Sequence, residues 1–270
     1  MCVPGCDEAV HRALSRRGFF RGAAAAGTGF AAMSVAPALA QRSFTAVIDL
    51  THTLTPEFPT FFGVPGISVE KKYSLKKDGA NVNWWHVVEH AGTHIDAPIH
   101  FSDTGATLDQ IAPEQLVVPL AVVDVSAKAA RNRDYEMSKQ DLADWESKHG
   151  RLPDNCCVAM HSGWAHHVAD PAMFTGKGAG VMHFPGIHPD AAEWLMKERR
   201  VAGLAVDTLS LDHGASKDFK THAAWLPSGR WGIENIANLD KVPASGATLV
   251  VGAPKVKDAT GGPSRVFALI

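Results

Sequence analysis

The sequence predicts a single α/β domain in which the layers of a mixed β-sheet are flanked by helices. Three observations carry that prediction. Short β-rich runs bounded by Pro and Gly dominate the chain, two segments with helix-start signals lie between them, and strands and helices do not alternate with a regular βαβ period. Thr45 to Leu50 reads as the first strand, and Val117 to Val125 as a nearly continuous apolar run of the kind buried on both faces. Asn155 to Met160, Val201 to Val206 and Thr248 to Val251 read likewise. A helix is expected over Ser138 to His149, where Ser138 caps ahead of Asp141. A second is expected over Pro189 to Glu198, since Pro suits a first helical turn. Another is expected to open near Gly232. The chain has no internal repeat and no low-complexity segment.

The first forty residues are expected to be a leader. Ser15-Arg16-Arg17-Gly18-Phe19-Phe20-Arg21 is a twin-arginine pattern, a small and apolar run from Gly22 to Ala36 follows, and Ala38-Leu39-Ala40 is a small-x-small cleavage signature. The expectation is export of an already folded protein to a periplasm, with residues 41–270 as the mature domain. About 230 residues then remain, enough for one sizeable core. Four arginines, one Asp and one Glu leave with the leader, which takes the formal net charge from −2 to −4. No basic surface remains to suggest nucleic acid, and no later apolar run approaches a membrane span, so no membrane anchoring is expected after cleavage. Cys2 and Cys6 also leave; Cys156 and Cys157 are adjacent, which disfavours a mutual disulfide, and read as buried small residues at a strand end.

The densest chemistry lies in Glu89-His90-Ala91-Gly92-Thr93-His94-Ile95-Asp96-Ala97-Pro98-Ile99-His100-Phe101. In an extended chain, residues of one parity share a face. His90, His94, Asp96 and His100 are all even-numbered, while Ile95, Ala97, Ile99 and Phe101 are odd and apolar. Gly92, Thr93 and Pro98 disfavour a helix, and Pro98 suggests a turn that ends the extended run. Imidazoles and a carboxylate converging on one point suit Zn2+, Mn2+ or another first-row dication. The plainer alternative is a polar edge strand with solvated histidines, and four coordinating groups within eleven residues weigh against it.

His-Ala-Gly-Thr-His-Ile-Asp-Ala-Pro-Ile-His resembles the HxGTHxDxPxH signature of the cyclase-like metal-dependent hydrolases, a family that includes bacterial N-formylkynurenine formamidases and isatin hydrolases. Ile48-Asp49-Leu50-Thr51-His52, Pro59-Thr60-Phe61-Phe62-Gly63, Phe184-Pro185-Gly186-Ile187 and the run from Val206 to Asp212 are similar to further family segments. His222 and Glu234 stand twelve residues apart, the spacing of the formamidases' remaining ligands, and Asn235 to Pro243 continues the match. The resemblance implies the cyclase-family α/β fold, with His90, His94 and Asp96 on one metal. It further implies that Asp96 bridges to a second metal held with His222, and that Glu234 contacts both. His100 is implied to be the proton-transfer residue, and one or two ions, zinc or manganese, are expected.

The residue types fit that chemistry independently. A dication acidifies water and polarises a carbonyl, and a histidine outside the ligand set is suited to carry the proton to a departing nitrogen. The expected activity is hydrolysis of an aryl or cyclic amide, since N-formylkynurenine and isatin both place the scissile carbonyl on an aniline-type nitrogen. The alternatives are a lactone or ester hydrolase or cyclase using the same site, and a non-catalytic periplasmic metal-binding protein. Phe61, Trp84, Ser162 and Trp164 are the candidate substrate contacts, and Asp207 and Asp212 are candidates to orient a ligand imidazole or to form turns. The expected partner is a small-molecule substrate, and the family implies a homodimer or higher homo-oligomer.

Overall fold

The strands are short, and the central ones are buried apolar runs. In the computed structural model, which describes residues 44–178 and 180–270, they are β1 Val47–Asp49, β2 Ile67–Tyr73, β3 Val82–Val87, β4 His94–Asp96, β5 Val117–Asp124, β6 Glu136–Met137, β7 Cys156–His161, β8 Gly186–Ile187, β9 Val201–Val206, β10 Trp231–Glu234, β11 Ala247–Gly252, β12 Gly261–Pro263 and β13 Arg265–Leu269. The expected leader, its cleavage site, Cys2 and Cys6 lie outside the described residues. Nine strands form one sheet in the order β1-β13-β11-β5-β7-β9-β10-β4-β12, with β5, β7, β9 and β10 mutually parallel and their outer neighbours antiparallel. The mixed sheet expected from the sequence is therefore present.

Alternation along the central strands divides two cores. Val118, Leu120 and Val122 of β5 and Cys157 and Ala159 of β7 share one cluster with Ile95 of β4, Ile233 of β10, Leu249 of β11 and Val266 of β13. Strands from both ends of the sheet meet in that cluster, which requires the sheet to curl around it. The opposite parity, Ala121, Val123, Val158 and Met160, packs beneath the helices α1 Lys139–His149, α2 Pro189–Glu198 and α3 Lys220–Trp225 through Leu142, Trp145, Leu195 and Trp225. Ser138 caps α1 in a capping box with Asp141, and Pro189 opens α2, both as expected. Cys156 and Cys157 are free, buried and divided between the two cores, so the reading of them as packing residues holds.

The helix expected near Gly232 is instead strand β10. Trp231 to Glu234 are all buried and pair on both sides, with β9 and with β4. A short apolar segment carries no periodicity that separates helix from strand, and the partners decided the outcome. Among the described residues, no helix is long and apolar enough to cross a membrane.

The β9–β10 contact is close because Gly203 has no side chain. Trp231 lies opposite Gly203, and a Cβ at Gly203 would come within 2.2 Å of the indole ring. Gly203→Ala is expected to destabilise the fold by about 1–3 kcal/mol through overpacking. Adding Trp231→Phe should recover part of the loss. Urea unfolding midpoints of the single and double variants check this, and equal loss in both would refute the steric account.

Candidate metal centre and pocket

Pairing between β4 and β10 brings the first two carboxylates together. Ile95 turns inward to the core, so its neighbours His94 and Asp96 turn to the opposite side of β4. The register sets His94 opposite Glu234 and Asp96 opposite Gly232. His94 Nε2 lies 3.4 Å from both Asp96 Oδ1 and Glu234 Oε2. From helix α3, His222 Nε2 approaches Glu234 Oε1 at 3.0 Å and Asp96 Oδ2 at 3.7 Å. His90, in the loop before β4, brings Nδ1 to 2.7 Å from Asp96 Oδ1. The five residues expected to hold metal are thus assembled at one point, and Asp96 faces all three imidazoles.

The outer nitrogens of two imidazoles are committed elsewhere. His94 Nδ1 lies 2.9 Å from the Gly92 carbonyl, and His222 Nδ1 lies 2.6 Å from Asp212. Each outer acceptor turns Nε2 toward the carboxylates, an arrangement usual around ligand histidines. Asp212 therefore does orient an imidazole. Asp207 instead accepts from the backbone N–H groups of Ser162 and Trp164 and from the Ser162 hydroxyl.

Burial works to lower the His94 pKa, but the Asp96 and Glu234 carboxylates beside Nε2 override it and raise His94 to about 10. His222 is likewise driven well above its ordinary value against burial, by Asp212, Asp96 and Glu234. Burial pushes Asp96 upward, yet His94, His222 and His90 hold it well below the usual carboxylate range. Two buried carboxylates thus draw positive charge into the centre. His94 Nε2 and Asp96 Oδ2 are buried without a hydrogen-bond partner, and the donor set of imidazole nitrogen and carboxylate oxygen is that of a first-row dication. On both counts the residues fit a metal.

Pro98 ends the extended run and opens a 3₁₀ turn, Pro98–Phe101. The turn carries His100 over His90, with ring centroids 3.8 Å apart and planes 24° from parallel. Ligand-type atoms of His90, Asp96 and His100 lie within 4.8 Å of one another, as do those of His94, Asp96 and Glu234. Burial foremost, helped by His90 and His222 and opposed by Asp96, lowers His100 to about 4. It is a neutral imidazole at physiological pH.

Above the centre lies a cavity of about 180 Å³ whose wall includes Phe61, Phe101, Leu209, Phe219 and Asn235 and whose floor includes His90, His94, His100, His222 and Glu234. Phe61 lines this cavity, whereas Trp84, Ser162 and Trp164 are not among its lining residues. Trp84 is 54% exposed on the β2–β3 hairpin with Lys72 over its ring, because the hairpin projects both its faces outward. Ser162 is buried and spends its hydroxyl on Asp207. Trp164 is buried with Phe174, Phe184 and Leu209, and its indole N–H donates to the Phe174 carbonyl, so it supports Phe61 from behind the wall. Phe101, Phe219 and Leu209 were missed. Phe219 precedes α3 in the left-handed conformation, so its place in the wall depends on that turn and not on a helical spacing from His222.

The chain matches the profile of a family described as putative cyclases over residues 48–213. It is 31% identical over 243 residues to the isatin hydrolase of Roseibium aggregatum, covering 83% of this chain and 91% of that protein. It is 26% identical over 225 residues to a kynurenine formamidase of Bacillus cereus, covering 81% and 94%. The fold superposes on isatin hydrolase A from Ralstonia solanacearum with a TM-score of 0.79 at 35% identity, over 83% of this chain and 92% of that one. A shared fold and a family match spanning more than half of the sequence lead to one conclusion: this chain belongs to the putative cyclase family.

Proposed function

We propose that the chain is a metal-dependent hydrolase that opens the C–N bond of an aryl or cyclic amide, isatin-like or N-formylkynurenine-like. In this reading His90, His94, Asp96, His222 and Glu234 hold one or two divalent cations, zinc or manganese, and His100 moves the proton. The observation that carries the reading is the convergence of buried Asp96 and Glu234 with unpartnered His94 Nε2 and Asp96 Oδ2, beneath an aromatic pocket. The relatives named isatin hydrolase and kynurenine formamidase support the amide class.

A dication, when bound, supplies Lewis acidity toward a carbonyl and makes water acidic near neutral pH. The chain's own residues supply the remainder. Phe61, Phe101 and Phe219 offer ring faces to a planar aryl group and exclude water from the centre. His100, neutral and at the pocket floor, accepts a proton at a ring nitrogen and returns it to the departing amine nitrogen, which leaves poorly as an anion.

His100→Ala is expected to lower kcat by about 100-fold or more while the purified protein keeps its cation. Rate and metal content are measured on the same preparation. A parallel loss of cation would make His100 a ligand, and unchanged turnover would remove it from the mechanism.

His94 must shed its proton to bind a cation, and in the cation-free protein that proton is held up to about 10. Zinc affinity should therefore strengthen as pH rises from about 6 to about 8, with proton release seen as a buffer-dependent heat in calorimetry. Chelation should abolish turnover of isatin or N-formylkynurenine, and zinc or manganese should restore it. Affinity flat with pH, or turnover indifferent to chelation, contradicts the proposal.

Export and self-association belong to the same proposal. The twin-arginine pattern supports export, and the hairpin supports a homodimer, since Trp84 and Trp85 are 54% and 70% exposed on opposite faces of a two-stranded ribbon. Protein recovered from the periplasmic fraction should begin near Gln41 by intact mass and elute at twice the mature mass by light scattering. A retained leader or a monomer at micromolar concentration would overturn the corresponding half.

A further inference from the structure

His90 differs from the other two imidazoles of the centre in the way it is turned. His94 and His222 direct Nε2 inward, whereas His90 directs Nδ1 toward Asp96 and points Nε2 outward, 2.9 Å from the Thr260 hydroxyl. Thr260 comes from the loop before β12, 170 residues along the chain. Its hydroxyl lies 2.5 Å from Glu89 Oε2, and its backbone N–H donates to the same oxygen at 3.2 Å.

We infer that Thr260, backed by Glu89 and seated beside Gly261, is a positioning residue that fixes the hydrogen-bond polarity of His90 and thereby presents Nδ1 to the cation site. A hydroxyl has one hydrogen and a carboxylate has none, so the Thr260 proton goes to Glu89. What remains for His90 is an oxygen lone pair, which accepts from Nε2–H. A neutral imidazole carries one N–H, so Nδ1 is left with its own lone pair, facing Asp96 Oδ1 at 2.7 Å. That lone pair is the one a cation beside Asp96 would take; without a cation the 2.7 Å contact is a hydrogen bond.

Gly261 completes the device by what it lacks. A Cβ there would stand 2.6 Å from His90 Cε1 and 2.6 Å from the Ile95 carbonyl oxygen, so only bare backbone lets the ring lie against β12. The ring is held at one nitrogen by a hydroxyl, at its carbon edge by a glycine and on its face by His100.

This inference rests on the metal centre of the proposed function, and its test separates the two. Zinc affinity is measured by competition with a chromophoric chelator for the full chain and its Thr260→Val and Thr260→Ser variants. The valine variant, similar in shape and without the hydroxyl, should bind zinc about 10- to 100-fold more weakly, the range seen when an outer partner of a ligand histidine is removed. The serine variant should restore most of the affinity. In the zinc-loaded parent, 15N spectra of labelled histidine should show a proton on His90 Nε2 and none on Nδ1, a reading that stands even if the valine variant does not fold. A parent that binds no zinc overturns both the metal centre and this inference. Tight binding by the parent together with equal affinity in the valine variant, or a proton on Nδ1, overturns the inference alone.

Discussion

Two negative charges buried side by side are the constraint from which the rest of this structure follows. Asp96 and Glu234 sit on adjacent strands, both nearly inaccessible to water, and face the same space. Like charges in such a place are unstable without compensation. Each surrounding group answers that demand. Three imidazoles approach the carboxylates, and each has its far nitrogen bonded to something rigid: a backbone carbonyl, a second carboxylate, or a hydroxyl locked to a glutamate. The aromatic wall then keeps water from diluting the field.

The fold serves this centre by bringing distant sequence to one place. Residues 90–100 supply His90, His94, Asp96 and His100, α3 supplies His222, β10 supplies Glu234, and the loop before β12 supplies Thr260. Glu234 is the last residue of β10, and Asp207 and Ser162 directly follow β9 and β7, so the polar residues gather at the carboxyl ends of the parallel strands. That is the usual place for a site in an open α/β sheet. Gly203 allows β9 and β10 to approach across the Trp231 ring, which couples core packing to the position of Glu234.

What the sequence made legible was whatever local chemistry decides. Ser138 with Asp141, Pro189, the apolar run of β5 and the parity of His94 and Asp96 around Ile95 all act over a few residues, and all appear where they were expected. The five candidate ligands could be named because a motif and a spacing mark them, and the structure brings them together. Gly232 misled because a four-residue buried segment has no period of its own. Trp84, Ser162 and Trp164 lie outside the cavity lining, and residue type alone says nothing about which way a strand end or hairpin faces. Thr260 and Glu89 carried no signal at all, since their role exists only when β12 lies against β4.

The placement of β12 and β13 also bears on how the chain comes to be a site. These two strands are separated by Ser264 alone, yet one pairs with β4 at one edge of the sheet and the other lies between β1 and β11 near the opposite edge. A growing chain that lacks this segment leaves β4 with an open edge, β1 without its neighbour and His90 without its hydroxyl. Such contacts join residues more than 150 positions apart and require the long loop between them to close. A chain without Thr260 would still carry the five candidate ligands, but His90 would lack the hydroxyl that faces its outer nitrogen. The orientation of His90 therefore depends on the same pairing that closes β12 against β4, so a local side-chain geometry is set by a contact between distant parts of the sequence.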